Sequence, residues 1–404
     1  MYTKKNVYHF MISQSFTIIG IRFIDMAISI FFLKTFVGTG NLGFFNAICM
    51  LTALFLHFPF VKLNLKLNRK RQLVYSNFLL AVGSSIIAFF VFTEYGSENI
   101  FLYATLTLVL CNVCSAHHRI SSDLMLFDLT DDIDVEKKYF TYSAIMITIA
   151  PILGVVVYSL FGISIVIFVM AIMFNIAATA TVFLKYDESK AKPLSSGGKI
   201  KLINVTKYID VKADPVVKRV IKVICLLNFF VTPILITGLP SAAFYLGMET
   251  LTLGLSAGVL VIGTTFLMYS NFYVKRKRIA FHLLLNITFA TLGVVSIIIP
   301  LCYYSILNAF IFEIIMYFAF SIIAVSFSLL NAYSYIVLNS KIKTNVHHDF
   351  YALLTLTVLL CVFLGNIVLG ILLKYSLVGN ALFLFSFFAM CFLQDIGYVS
   401  VSKE

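Results

Sequence analysis

Gly20-Ile21-Arg22-Phe23-Ile24-Asp25-Met26-Ala27 sits in the middle of a run, residues 10–36, that is otherwise apolar enough to cross a bilayer. An arginine and an aspartate at that depth are costly, and such residues usually face a bundle interior or a watery cavity. Three positions apart, they share one face of a helix. The rest of the chain has to supply the bundle around that face.

The composition supplies it. Of the 404 residues, 61% are hydrophobic and 12% charged, and the mean hydropathy is +0.99. A soluble core that apolar would have no polar surface left to cover it. At about 20 residues per span, the chain has room for twelve spans with roughly 160 residues left for loops and ends. The apolar runs are continuous, whereas a transmembrane barrel would show alternating segments of about ten residues. The first segment carries two internal charges and lacks a small-residue cleavage site, so it reads as retained rather than as a signal peptide. Seven cysteines, all in or beside apolar segments, argue against a disulfide framework.

Twelve segments are predicted, at about 10–36, 39–61, 72–93, 100–122, 139–161, 163–185, 218–246, 250–273, 279–300, 304–330, 350–373 and 378–397. Basic residues collect on one side of them: Lys4 and Lys5, Lys62 to Arg71, Lys137 and Lys138, Lys275 to Arg278, and Lys341 and Lys343. By the positive-inside rule both termini are cytoplasmic, and the formal charge of +12 is a topology signal that needs no nucleic-acid partner. The expected location is the cell (inner, cytoplasmic) membrane. A polar stretch from Asp187 begins as a flexible linker, and its later part, 200–217, has the makings of an amphipathic surface helix. It divides the chain into an N-terminal six-helix bundle (1–186), a cytoplasmic linker (187–217) and a C-terminal six-helix bundle (218–404). Asn68-Arg69-Lys70-Arg71 and Val274-Lys275-Arg276-Lys277-Arg278 occupy the same place in the two halves, which indicates a parallel duplication about an axis along the membrane normal.

With that pattern the chain resembles the major facilitator superfamily. The family's loop signature reads G-x-x-x-D-R-x-G-R-[KR]. Here Leu65-Lys66-Leu67-Asn68-Arg69-Lys70 keeps the basic residues, with leucine for the aspartate and asparagine for the second glycine, and Asn271 takes the aspartate position in the second half. Leu126-Phe127-Asp128-Leu129-Thr130-Asp131-Asp132 followed by Tyr142-Ser143-Ala144-Ile145 is similar to the efflux branch that exports drugs, siderophores or lysophospholipids. Ala150-Pro151-Ile152-Leu153-Gly154 is similar to the antiporter motif G-P-x-x-G-G, less two glycines. The resemblance implies an all-α polytopic fold of twelve transmembrane helices in two pseudo-symmetric halves. It also implies that the first, fourth, seventh and tenth segments surround a central cavity, and that Arg69, Arg71, Asp128, Lys275 and Lys277 belong to gating loops.

Candidate site residues follow from buried polarity. Arg22 falls near mid-bilayer, with Asp25 about 4.5 Å further out. They are read as cavity residues, against the plainer alternative of an ion pair that only neutralises itself. Glu313, in the tenth segment, lies about 6 Å to the outer side of its midpoint, at the depth of Asp25. With no basic residue in its own helix it is the better proton carrier, and Asp25 beside Arg22 the better counterion; a permanently protonated, hydrogen-bonded glutamic acid is the alternative. Asn112, Asn228 and Tyr317 are placed along the same pathway. Asn46 and Asn366 either line the cavity or bond between helices. Thr232, Pro233, Thr237, Gly238 and Pro240 mark the seventh segment as bendable, either as a moving gate or as a static kink.

Two motifs are set aside. Cys111, Cys114 and His118 form one helical stripe of metal-ligand types, but one helix rarely supplies three ligands to a tetrahedral ion, so no metal or other cofactor is expected. His118 and Arg119 are instead placed at the cytoplasmic mouth, against acids such as Asp123 or Asp128. Gly254-Leu255-Ser256-Ala257-Gly258 matches a hydrolase pattern that needs a strand–turn–helix elbow, and here it opens a membrane helix. The chain therefore reads as a monomeric secondary active transporter rather than an enzyme, with protons as coupling ion. The preferred activity is export of a small amphiphilic organic molecule. A proton-coupled importer and a lysophospholipid flippase remain the alternatives.

Overall fold

The computed structural model describes residues 4–35, 39–66, 69–93, 99–129, 133–186, 214–238 and 347–375, with isolated positions between 240 and 342. Every element among them is helical. In chain order they are α1 (Lys4–Thr35), α2 (Thr39–Lys66), α3 (Arg69–Val91), α4 (Ile100–Leu129), α5 (133–161), α6 (163–182), α7 (Pro215–Leu226) and α8 (His347–Tyr375). Eight of the twelve expected segments are thus described, and α8 corresponds to the eleventh.

Several helices outrun their apolar stretch at the end where the basic residues gather. α1 begins at Lys4, α2 runs to Lys66 and α4 to Leu129. A helix leaving the hydrocarbon keeps its backbone bonds, so the apolar run measures membrane thickness and not helix length. Stretches long and apolar enough to span a membrane include Asn6–Thr35, Arg69–Val91, Ile100–His118, Ile149–Val182, Pro215–Gly238 and Phe350–Lys374. The protein is a multi-pass membrane protein.

Two breaks in helical geometry have simple local causes. α5 and α6 are joined through Gly162 alone, at φ 80° and ψ 176°. That region is essentially closed to residues with a Cβ, so a glycine makes the hairpin. α7 continues into two π turns, Leu227–Val231 and Ile234–Gly238, on either side of Thr232-Pro233. Pro233 has no N–H to give the carbonyl four residues back, and wider turns absorb the mismatch.

Packing is organised around α1. It lies along α5–α6 for most of its length and also touches α4. Of its spanning window 67% is buried, against 33% for the window in 149–182. Close approaches depend on glycine. A Cβ on Gly154 of α5 would run into the Phe23 carbonyl of α1, and one on Gly20 would stand 2.5 Å from the ring of Phe174 on α6. Across the two halves α2 packs along α8, and within the second half α8 packs along the first π turn of α7. Gly365 of α8 meets the Phe229 carbonyl and the Pro233 ring. At the basic end, Phe10, Met125, Leu126, Leu129, Tyr139, Val217, Ile221, Phe350 and Tyr351 join both halves in one apolar cluster.

Candidate functional site

α1 carries the charged site because of its position. Packed against α4, α5 and α6, it keeps a partly accessible face of Met11, Ile12, Ser15, Phe16, Ile18, Ile19, Arg22 and Asp25, in which Met11, Ser15, Ile18, Arg22 and Asp25 follow one another at spacings of four, three, four and three. Arg22 Nη1 donates to Asp25 Oδ2 at 2.9 Å. The Arg22 side chain is 36% exposed and that of Asp25 13%. Ser29 Oγ donates to the Asp25 carbonyl at 2.9 Å, continuing the polar line. On α4, Cys111 Sγ lies 3.8 Å from Met170 Sδ. Gly154 presses on the backbone between the two charged residues from behind. The pair is therefore fixed at the rear and reachable at the front. A full charge at that depth costs free energy against hydrocarbon, and pairing offsets part of the cost.

Nearer the basic end, α1 presents a different kind of polarity. Asn77 Nδ2 of α3 donates to Ser13 Oγ at 3.0 Å and to Thr181 Oγ1 at 2.7 Å, while Thr17 Oγ1 donates to Asn77 Oδ1 at 3.0 Å. Ser13 and Thr181 hydroxyls lie 2.5 Å apart. Beside them His118 Nε2 pairs with Gln14 Oε1 at 2.8 Å and His118 Nδ1 with Ser76 Oγ at 3.0 Å. Ser121 Oγ donates to Gln72 Oε1 at 2.8 Å. All of these side chains are buried.

This corrects the placement of His118 at the mouth. α4 runs about three turns past it, so its ring lies inside the bundle on neutral partners. Gln14, Ser76, Asn77 and Thr181 escaped the sequence reading because a lone neutral polar residue in an apolar run is ordinary. The only available signal was that the neighbouring pairs Ser13-Gln14 and Ser76-Asn77 each put two such residues side by side.

The other sequence-derived site residues divide. Asn112 is half-buried on α4, next to Cys111. Asn228 is buried in the first π turn, where its Nδ2 donates to the Ile224 carbonyl at 2.8 Å and its Oδ1 accepts from Thr232 Oγ1 at 3.4 Å. Its amide thus serves its own helix. Asn46 and Asn366 bond between helices, both through Thr237. Arg69 is buried at the start of α3 and Arg71 is exposed two residues on. Asp128 is in the last turn of α4, its side chain outside what is described. Glu313, Tyr317, Lys275 and Lys277 lie outside the described residues, as does the 254–258 motif. Among the described residues no group of three His, Cys, Asp or Glu side chains could hold a metal ion, and Cys49, Cys111, Cys114, Cys225 and Cys361 are not in disulfides.

Comparison with solved structures finds the same architecture end to end. A crystal structure of a mutant of the nucleoside transporter NupG superposes with a TM-score of 0.62 at 12% identity, covering 99% of this chain and 100% of its own. A bacterial homologue of the iron transporter ferroportin, in an outward-facing state, gives 0.64 at 12% identity, covering 97% and 98%. A structure of proton-dependent oligopeptide transporters gives 0.60 at 11% identity, covering 96% and 97%. At such identities the likeness is one of fold. No curated protein matches the chain closely in sequence. The family model of the Major Facilitator Superfamily, however, matches residues 10–365, and with the enclosed α1 and the glycine-packed helices around it, this places the chain in that superfamily of transporters, with its fold of twelve helices in two halves.

Proposed function

We propose that the chain is a proton-coupled exporter of a small amphiphilic organic molecule, working as a monomer by alternating access with its basic end in the cytoplasm. The observation that carries this reading is the Arg22–Asp25 pair, half-open to its surroundings on the most enclosed of the described spans. The two six-helix halves, 1–186 and 218–404, rock about a site near the midplane while residues 187–217 link them. Arg22 and Asp25 orient polar or charged groups of the substrate. Glu313 takes up a proton when the cavity faces outward and releases it inside. Asn112, Asn228 and Tyr317 line the same route, and Arg69, Arg71, Asp128, Lys275 and Lys277 act in the gating loops.

The energetics suit the task. One charge moving through 100 mV carries about 2.3 kcal/mol, enough to hold a gradient of about fifty-fold. A wall offering both signs of charge among Phe and Tyr rings fits an amphiphile better than a bare ion. Export is favoured over import by the Asp128 and Ala150–Gly154 stretches, which resemble those of the efflux branch.

The test is transport by wild type and Glu313→Gln in vesicles of both orientations, across a panel of drugs and metabolites, with a proton readout. Uphill movement toward the outside, with protons flowing the other way and both lost in the variant, is the expected result. Uphill movement by the variant with unchanged proton flux would show that Glu313 is not the carrier, and uptake in right-side-out vesicles would reverse the direction.

A further inference from the structure

The seam between the halves holds a polar chain that the reading above does not use. Gly43 of α2 faces Gly370 of α8 so closely that a Cβ on Gly43 would stand 2.6 Å from Gly370 Cα and 2.8 Å from the Asn366 carbonyl oxygen. One turn along from these glycines, Asn46 Nδ2 donates to Thr237 Oγ1 at 2.9 Å, and Thr237 Oγ1 donates to Asn366 Oδ1 at 2.9 Å. Asn366 Nδ2 in turn donates to the Val362 carbonyl at 2.9 Å. All three side chains are buried. The direction of the chain is settled by proton counting: an amide nitrogen only donates, so Thr237 accepts from Asn46 and its single hydroxyl proton goes to Asn366.

Of these bonds, only Asn46 to Thr237 crosses between the halves. Its acceptor lies in the second π turn of α7, just beyond Pro233, where regular helical bonding is already interrupted. The segment of α7 that bends at least cost is therefore fastened to the opposite half by a neutral hydrogen bond. The α2–α8 contact is secured separately, by the glycine crossing at this end and by His57 Nε2 on the Ala352 carbonyl, 2.8 Å, toward the basic end. The α2–α8 pairing is thus fixed at two points, while the second π turn, which packs on α1 and α2, is joined to α2 by the Asn46 amide.

We propose that Asn46, Thr237 and Asn366 form a latch that holds shut the mouth of the bundle opposite the basic end, with the α2–α8 crossing as the pivot about which it opens. This rests on alternating access and on nothing about substrate, direction or protons. A neutral bond suits a latch of this kind. Its loss changes a two-state population by about threefold, whereas a strong ion pair would hold the mouth closed through the cycle. Asn366 acts as a positioning residue, taking the Thr237 proton so that the oxygen faces Asn46.

The test is a distance measurement by electron–electron resonance. Spin labels are placed at Thr35→Cys on the end of α1 and at Phe244→Cys beyond Thr237, both exposed positions, in a chain with its native cysteines replaced. Without substrate or gradient, Thr237→Val should raise the long-distance population about threefold relative to the unmodified latch. Asn46→Ala, which removes only the crossing bond, should do the same, and Thr237→Ser should restore the original distribution. A fall in melting temperature with no change in distances would overturn the proposal, because the triad would then be packing and no more. So would a shift in Thr237→Val that Asn46→Ala does not share. Failure of export or proton coupling would appear in vesicle transport and leave this distance test untouched.

Discussion

Two stretches of one helix, about two turns apart, use polarity in opposite ways. Around Ser13, Gln14 and Thr17 the side chains are neutral, buried and bonded to three other helices. Around Arg22 and Asp25 they are charged, partly exposed and bonded to one another. A neutral hydrogen bond between membrane helices averages about 0.6 kcal/mol, so a cluster of them ties helices together without trapping any. A full charge at similar depth costs about 2.5–3.5 kcal/mol and needs a reason to be kept. The first stretch ties α1 to three helices, and the second bonds only to itself and stays partly exposed.

The largest expected effect comes from pushing the charged stretch off its support. In Gly154→Val the new side chain meets the Phe23 carbonyl, a backbone atom that cannot rotate away. The loss should exceed the usual overpacking cost of about 1–3 kcal/mol, leaving little folded protein by thermal unfolding in detergent. Gly20→Ala first meets the ring of Phe174, a side chain rather than a backbone atom. It should be the milder of the two, and equal damage from both would mean that α1 is held along its whole length and not at Phe23.

The comparison itself is broken or kept by a crossed pair of variants. Asn77→Leu removes three bonds among α1, α3 and α6 and should lower stability by on the order of 2 kcal/mol, with transport per folded molecule little changed. Arg22→Gln should do the reverse, cutting transport by about tenfold or more while melting close to wild type. Should Arg22→Gln melt lower than Asn77→Leu, the ion pair is a structural tie like its neighbours. Melting curves and vesicle flux on the same preparations decide it.

How much of this contrast was legible in the sequence depends on whether the signal was local. The spans were readable from continuous apolar runs, and Arg22 and Asp25 from charge inside one of them. The π turns after Leu226 were foreshadowed by Pro233 and Gly238. What escaped was whatever depends on the partner helix. Asn46, Asn112, Asn228 and Asn366 look alike as asparagines in apolar runs, yet Asn46 and Asn366 bridge helices, Asn228 bonds to its own, and Asn112 is half-buried beside Cys111. His118 was misplaced for the same reason: its depth follows from where α4 ends, and the apolar run stops short of that end.

The smallest effect sharpens the point at a residue that the sequence puts on the pathway. Asn228 Nδ2 donates to the Ile224 carbonyl within α7, and its Oδ1 accepts from Thr232 at 3.4 Å. Both partners sit one turn away on the same helix, so neither bond ties α7 to anything else. A carbonyl one turn back already receives a backbone N–H in a regular helix, which makes the extra side-chain bond a weak one. Asn228→Ala should therefore change stability by about 0.5–1 kcal/mol and flux by less than about threefold. A flux loss approaching that of Arg22→Gln would mean that the amide leaves Ile224 during the cycle to meet substrate, and the line between tying and guiding polarity would then have to be drawn through α7 as well as through α1.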